Sequence, residues 1–105
     1  MTPLAKKTYA LLQTVPKGRV TTYKALADAL GSRAYRAIGQ FMRTNPYAPL
    51  VPCHRVVASD GTIGGFMGES RGATIQKKIA LLRSEGIHVD GKKVKDFERV
   101  FYRFR

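Results

Sequence analysis

The side chains best suited to chemistry lie in one proline-rich stretch whose centre is Cys53, the only cysteine of the chain. His54 and Arg55 follow it directly. Cysteine attacks as the thiolate, and a neighbouring histidine or cation favours that form. Because adjacent side chains of a strand point to opposite faces, contact between Cys53 and His54 requires a tight turn, which Pro52 can impose. A base also needs an orienting partner, and Glu85 is a candidate. The alternative is a buried structural cysteine beside a partly exposed histidine.

The charge of the chain indicates a polyanionic partner. Its 105 residues carry 19 Lys and Arg against 7 Asp and Glu, a formal net charge of +12. Such a field attracts polyanions and speeds their capture. Nucleic acid is therefore the first candidate and an anionic membrane surface the second. A basic surface without a partner is the remaining interpretation.

The composition argues against several classes of protein. A single cysteine excludes an internal disulfide and suits a reducing compartment. One cysteine and two histidines without ligand-like spacing argue against a structural zinc site. No stretch approaches the ~20 apolar residues that span a bilayer, and residues 1–7 lack the apolar core of a signal peptide. We expect one cytoplasmic, chromosome-associated domain over 1–105, acting as a monomer without a metal or an organic cofactor.

Three helices are predicted ahead of the reactive segment. They run from Pro3 to before Pro16, over 23–30 and over 33–43, with Thr2, Thr22 and Ser32 as their respective N-caps. Gly31 fits the left-handed position after the second helix. The two short helices around this tight turn predict a helix-turn-helix, with a plain helical hairpin as the alternative. Basic and small side chains on the third helix favour contact with DNA, namely Arg33, Ala34, Arg36, Ala37, Gly39 and Arg43.

The remaining segments complete a mainly α domain with a small β-hairpin. Three prolines make 45–52 irregular. Residues 56–58 are β-prone, a turn follows at 59–61, and 62–66 are expected to return as the second strand of the hairpin. A helix over 73–83 turns Ile75, Ile79 and Leu82 inward and ends at Glu85-Gly86. The tail, 89–105, alternates basic and apolar residues. It packs as a last helix or strand, and its charges either extend a DNA footprint or form a solvated cap.

The sequence resembles the O6-methylguanine-DNA methyltransferase (O6-alkylguanine-DNA alkyltransferase) family at five places in the same order, from about Pro3 to Gly86. The family's active-site signature is similar to Val-Pro-Cys-His-Arg-Val-Val at 51–57. The other four similarities are Val20-Thr21-Thr22-Tyr23 with Leu26-Ala27, Arg36-Ala37-Ile38-Gly39 with Met42-Arg43-Thr44-Asn45-Pro46, Gly64-Gly65-Phe66, and Leu81-Leu82-Arg83-Ser84-Glu85-Gly86. They correspond to the first helix of the helix-turn-helix, its recognition helix and following asparagine, the binding loop, and the terminal Glu-Gly.

The resemblance implies a role for each matching residue. Cys53 accepts the alkyl group, His54 removes its proton through a water, and Glu85 orients His54. Tyr23 supplies a hydroxyl to the leaving guanine, and Asn45 braces the active-site turn. Arg36 fills the gap left by the flipped nucleotide, which must leave the base stack before its oxygen can be reached. Further DNA contacts are implied for Thr22, Arg33, Ala37, Gly39 and Arg43. The residues implied around the guanine are Met42, Val56, Gly65, Phe66 and Met67.

The resemblance implies a winged helix-turn-helix-like domain that irreversibly moves an alkyl group from O6 of guanine in double-stranded DNA to Cys53. It also implies docking in the minor groove, which suits base flipping. Larger members carry an N-terminal domain, so we expect the minimal form here. Phe66-Met67 replaces a tyrosine and a small polar residue of many relatives. The alternatives are an alkyltransferase-like protein that binds the lesion without transfer, whose nucleophile position is usually Trp, and a plain helix-turn-helix regulator.

Overall fold

A computed structural model describes residues 2–64 and 72–104 of the chain and is mostly helical. The helices are α1 (Pro3–Leu12), α2 (Tyr23–Ala29), α3 (Tyr35–Arg43), α4 (Ala73–Ser84) and α5 (Phe97–Val100). The strands, each of two residues, are β1 (Thr21–Thr22), β2 (Val56–Val57), β3 (Val89–Asp90) and β4 (Lys93–Val94), and a 3-10 turn covers Cys53–Arg55. The expected mainly α domain with a small hairpin is confirmed.

The first two helices begin where their caps predict. The Thr2 hydroxyl accepts a hydrogen bond from the Ala5 N–H at 3.2 Å, and the Thr22 hydroxyl accepts from the Ala25 N–H at 3.0 Å. Each cap satisfies one backbone donor that the first turn of a helix leaves without an intrahelical partner. Gly31 follows α2 with φ of 63°, the left-handed conformation that glycine adopts without a steric penalty.

The predicted start of the third helix is wrong by two residues. The Ser32 hydroxyl accepts from the Ala34 N–H at 3.0 Å, which closes a local turn and does not cap a helix. α3 therefore begins at Tyr35, with Ala34 before it and no side-chain cap. Its position is set by a long-range contact, because the Tyr9 hydroxyl of α1 donates to the Phe41 carbonyl at 2.8 Å.

The β-hairpin lies elsewhere in the chain than the sequence predicts. β2 pairs in parallel with β1, with Thr21 opposite Val56, and the antiparallel hairpin is β3 with β4. The turn at 59–61 is correct, since the Ala58 N–H donates to the Thr62 carbonyl at 2.8 Å. Thr62 then bridges to Lys93 instead of continuing a strand along β2. Residues 65 and 66 of the predicted return strand lie outside the described residues.

The C-terminal tail packs against the segment just before β1. The Val20 N–H donates to the Val100 carbonyl at 2.9 Å, and the Tyr102 N–H donates to the Val20 carbonyl at 2.7 Å. Val94 is buried, whereas the basic tail residues of the described part point to solvent; these are Lys92, Lys93, Lys95, Arg99 and Arg103. The sequence predicted a last helix or strand for this segment, and the structure has both, the strands β3 and β4 followed by the short helix α5.

One apolar core joins the helices to β1 and β2. Its fully buried members include Leu12, Val20, Leu26, Val56 and Leu82. Burying an aliphatic side chain of this kind contributes about 1.5–3 kcal/mol to folding. Cys53 belongs to the same cluster, so the reactive segment is held by the main core and not by a separate loop. Within the described ranges, no helix has the length and apolar composition to cross a membrane.

Candidate active site and nucleic-acid interface

The backbone around Cys53 is held in a tight turn. The Cys53 N–H donates to the Val51 carbonyl at 2.9 Å, and the Arg55 N–H donates to the Pro52 carbonyl at 2.9 Å. Cys53 and His54 thereby occupy one 3-10 turn, which is the geometry that the spacing of these neighbours required. Cys53 is 3% exposed and forms no disulfide.

Asn45 spans the irregular segment that leads into this turn. Its Nδ2 donates to the Val51 carbonyl at 2.8 Å, and its Oδ1 accepts from the Tyr47 N–H at 3.0 Å. The side chain is buried, and it satisfies two backbone groups that no helix or strand pairs. This placement agrees with the bracing role that the resemblance implies.

Glu85 joins the end of α4 to the reactive turn. Its Oε2 lies 3.1 Å from His54 Nε2, and the side chains of the pair are 11% and 3% exposed respectively. Arg55 holds the same carboxylate with two hydrogen bonds, Nε to Oε1 at 2.9 Å and Nη2 to Oε2 at 2.6 Å. A bidentate arginine fixes both the position and the charge of a carboxylate. Glu85 therefore stands where an orienting partner for His54 is needed.

The electrostatics of this cluster favour a neutral imidazole. Burial lowers the pKa of His54, and this outweighs the opposing hydrogen bond and charge of Glu85. Burial alone would raise the pKa of Glu85, but hydrogen bonds from Arg55 and His54 lower it below its ordinary value. With Nε2–H donating to the carboxylate, His54 Nδ1 carries the lone pair that can accept a proton.

The guanidinium of Arg55, the second neighbour of Cys53 in the sequence, is engaged by other groups in the structure. Besides Glu85, its Nη1 donates to the Val15 carbonyl at 2.8 Å, so the guanidinium is committed to α4 and to the end of the first helical segment. A second basic residue close to the reactive segment is Lys78 of α4. It is fully buried, and its Nζ donates to the Val56 carbonyl at 2.8 Å and to the Ile63 carbonyl.

Burial lowers the pKa of Lys78 to about 7, and the charge of Cys53 opposes this shift. Tyr23, the first residue of α2, is coupled to the same sulfur. Burial, and then the charge of Cys53, raise the pKa of its hydroxyl, so that Tyr23 keeps its proton and can donate it.

A cavity of about 520 Å³ opens onto Cys53 and His54. The described residues that line the rest of it are Ala48, Pro49, Ala73, Thr74, Lys77 and Leu81. Met42 and Val56, which the resemblance places around the guanine, are buried in the core and are not among these lining residues. Gly65, Phe66 and Met67 lie outside the described residues, so their implied roles stay predictions.

The residues implied in DNA contact fall into three groups by exposure. Arg36 and Arg43 are exposed on α3, while Arg33 is exposed just before it. Ala37 and Gly39 are half-buried on the same helix, and a Cβ at Gly39 would meet no atom within 4 Å. Thr22 is 4% exposed, and its hydroxyl accepts the hydrogen bond that caps α2. If Thr22 contacts DNA, the contact must therefore use its backbone, or the cap must open.

The described ranges contain no group of three or more His, Cys, Asp or Glu side chains that could hold a metal ion. The arrangement supplies instead a cysteine, a neutral imidazole oriented by a carboxylate, and a tyrosine that keeps its proton. These are the parts of an acid–base-assisted nucleophilic transfer.

Residues 3–87 match the family model described as the DNA-binding domain of 6-O-methylguanine DNA methyltransferase. The chain belongs to this methyltransferase family. The resemblance noted in the sequence is thereby confirmed. Among curated relatives, a bifunctional methyltransferase/endonuclease of Picrophilus torridus is 42% identical over 97 residues, covering 91% of this chain and 30% of that protein. The chain spans between 47% and 58% of the length of the other curated relatives compared.

Two solved structures of family relatives are similar in fold. The O6-methylguanine-DNA methyltransferase of Pyrococcus kodakaraensis is 45% identical with a TM-score of 0.71, over 83% of this chain and 48% of that chain. Atl1 of Schizosaccharomyces pombe, in complex with damaged DNA containing O6-carboxymethylguanine, is 27% identical with a TM-score of 0.84. That similarity covers 99% of this chain and 98% of Atl1, so the tail after residue 87 also has a structural counterpart.

Lys78 is a buried titratable residue near the site that the sequence analysis did not single out. A signal for it exists, because Ile75, Lys78, Ile79 and Leu82 occupy the inward face of α4 at helical spacing. A lysine within such an apolar stripe is rarely fully buried unless its ammonium has partners. The sequence analysis assigned only the apolar residues of this face to the core, so Lys78 was not recognised as buried.

Proposed function

We propose that this protein takes an alkyl group from O6 of guanine in double-stranded DNA and keeps it on Sγ of Cys53. The observation that carries the proposal is a cavity lined by both Cys53 and His54, with the His54 ring 3.1 Å from the Glu85 carboxylate. A nucleophile, a base and a group that orients the base form a unit that recurs in covalent catalysis. Membership of the methyltransferase family supplies the reaction.

The transfer exchanges one bond and one proton. His54 Nδ1 takes the thiol proton, directly or through a water, and Sγ attacks the alkyl carbon. The new S–C bond forms as the C–O6 bond breaks, and the bond electrons pass to the guanine, which ends protonated. Tyr23, whose raised pKa keeps its hydroxyl protonated, is suited to donate to the oxygen where charge develops. The thioether product has no route back to the thiol, so we expect one turnover per molecule.

DNA enters the proposal through base flipping. The alkylated oxygen lies inside the duplex, and extruding the nucleotide costs a few kcal/mol. Exposed Arg36 on α3 is suited to enter the stack and offset part of this cost through its charge and planar guanidinium. The net charge of +12 supplies non-specific attraction to the phosphates. Because binding releases counterions from the DNA, this attraction should weaken strongly as the salt concentration rises.

The test is a mass measurement of the intact protein after mixing with a duplex that contains one O6-methylguanine. We expect a gain of one methylene unit per molecule, located on Cys53 by peptide mapping. The gain must be absent in Cys53→Ala and with a duplex that contains unmodified guanine. A wild-type protein that binds this duplex but never gains mass would refute transfer.

Lesion binding without transfer is the second candidate, and one observation favours it. The similarity to Atl1 has the higher TM-score, 0.84 against 0.71, and it covers 99% of this chain, including the tail that the family model does not match. This function predicts tighter binding to the lesion duplex than to the unmodified one, with no change in mass. Equal affinity for both duplexes would instead indicate a plain DNA-binding module.

A further inference from the structure

The cavity that holds Cys53 has a lysine in its wall. Lys77 of α4 lines it together with Thr74 and Leu81, which lie on the same helix face at a spacing of three and four residues. Ala48 and Pro49 are also in the lining. Apart from the reacting pair, the described wall is therefore apolar or weakly polar, with Lys77 as its one basic residue.

Among the described residues, the other charged side chains near Cys53 are bound to protein groups or held neutral. Arg55 and Glu85 bind each other, and Lys78 donates to backbone carbonyls in the core. His54 is held neutral by burial. Lys77 is exposed, so among the described residues that line the cavity it supplies the cation available to a ligand.

We propose that this site accepts guanine adducts whose O6 substituent ends in a carboxylate, and that Lys77 binds the carboxylate. The inference rests on the proposed function and specifies its substrate class. In a carboxymethyl adduct the carboxylate sits on the carbon that Sγ attacks, so an approaching thiolate meets a like charge. A cation at the cavity edge offsets that repulsion, while a methyl adduct gains nothing from it. The Thr74 hydroxyl in the same wall can donate to the second carboxylate oxygen.

The reaction is the same displacement at carbon as for a methyl adduct, with a carboxymethyl group transferred instead. Sγ forms a bond to the methylene carbon, the bond from that carbon to O6 breaks, and the thiol proton ends on guanine. The cysteine becomes S-carboxymethylcysteine, and Lys77 keeps its proton throughout. No oxidant, reductant or cofactor is needed.

The experiment compares two duplexes whose lesions differ in charge and hardly in size: O6-carboxymethylguanine and its neutral amide, O6-carbamoylmethylguanine. The measured quantity is the ratio of the rate constants for mass gain on Cys53, carboxymethyl over amide. In Lys77→Gln this ratio should fall about two- to fivefold, the range for a solvent-exposed ion pair. Lys77→Glu should lower it further, and Lys77→Arg should keep it near the wild-type value. Raising the salt concentration should shrink the wild-type effect.

The matched control is Lys6→Gln, which removes the same charge from an exposed position on α1. It should weaken binding of both duplexes equally and leave the ratio unchanged. A ratio in Lys77→Gln equal to those of the wild type and of Lys6→Gln would overturn the proposal. If the wild type transfers no group from any lesion, the proposed function fails. The charge preference is then decided by measuring competition between the two duplexes for binding to the same five proteins.

Discussion

Lys78→Met should change the way in which the stability of this protein depends on pH. The ammonium of Lys78 is fully buried beneath β2, where burial lowers its pKa from 10.5 to about 7. Methionine has a similar length and needs no charged partner in an apolar core. The substitution therefore removes the titration while keeping most of the packing.

The direction follows from the protons bound in each state. Between pH 7 and 10.5 the unfolded chain keeps a proton on Lys78 that the folded chain has released, so rising pH favours folding. The contribution of Lys78 to the free energy of unfolding is smallest below pH 7, where both states are protonated. It should increase by about 2 kcal/mol between pH 7 and about pH 9, because one pKa unit corresponds to about 1.4 kcal/mol.

The assay is urea unfolding followed by circular dichroism at intervals across that range, with wild type and Lys78→Met measured in parallel. The raised pKa values of Tyr9 and Tyr23 affect stability only near and above pH 10, so the range ends before they titrate. The wild-type free energy should rise relative to that of the variant. Parallel curves would refute the reasoning, because they would mean that the carbonyl hydrogen bonds keep Lys78 protonated in the folded protein.

Three further substitutions test the site. Glu85→Gln should slow alkyl transfer and lower the free energy of unfolding by about 2 kcal/mol at neutral pH. The difference from the wild type should disappear as the pH falls through the lowered pKa of Glu85 in the folded protein, and a difference in urea melts that stays constant down to low pH would contradict this. Asn45→Ala removes two side-chain hydrogen bonds, one to the Val51 carbonyl and one from the Tyr47 N–H, and should lower the free energy of unfolding by about 1–3 kcal/mol. The control is Gln76→Ala at an exposed position, and equal unfolding midpoints for the two variants would exclude the brace. Arg36→Ala should weaken repair of duplex DNA far more than reaction with the free modified base, and equal losses on both substrates would remove its proposed place in the base stack.

Features that depend on a few neighbouring residues could be predicted from the sequence. Thr2 and Thr22 cap their helices because a hydroxyl reaches a backbone N–H three residues ahead, whatever the rest of the chain does. Gly31 follows the same local logic. The turn that joins Cys53 to His54 was required by their spacing and by Pro52. The sequence also offered Glu85 as a candidate partner for His54, and the resemblance implied that role, but only the structure shows the two side chains 3.1 Å apart.

Only the tertiary structure decided which distant groups meet. β1 and β2 pair in parallel although the sequence favoured a hairpin, because two-residue strands take their partner from the core around them. Arg55 follows the cysteine directly, yet it turns to Glu85, since a bidentate carboxylate outweighs proximity along the chain. Lys78 lies inside and Lys77 at the cavity although they are neighbours on one helix. Helical geometry turns adjacent residues about 100° apart, and the packing of α4 on the core then determines which of the two is buried.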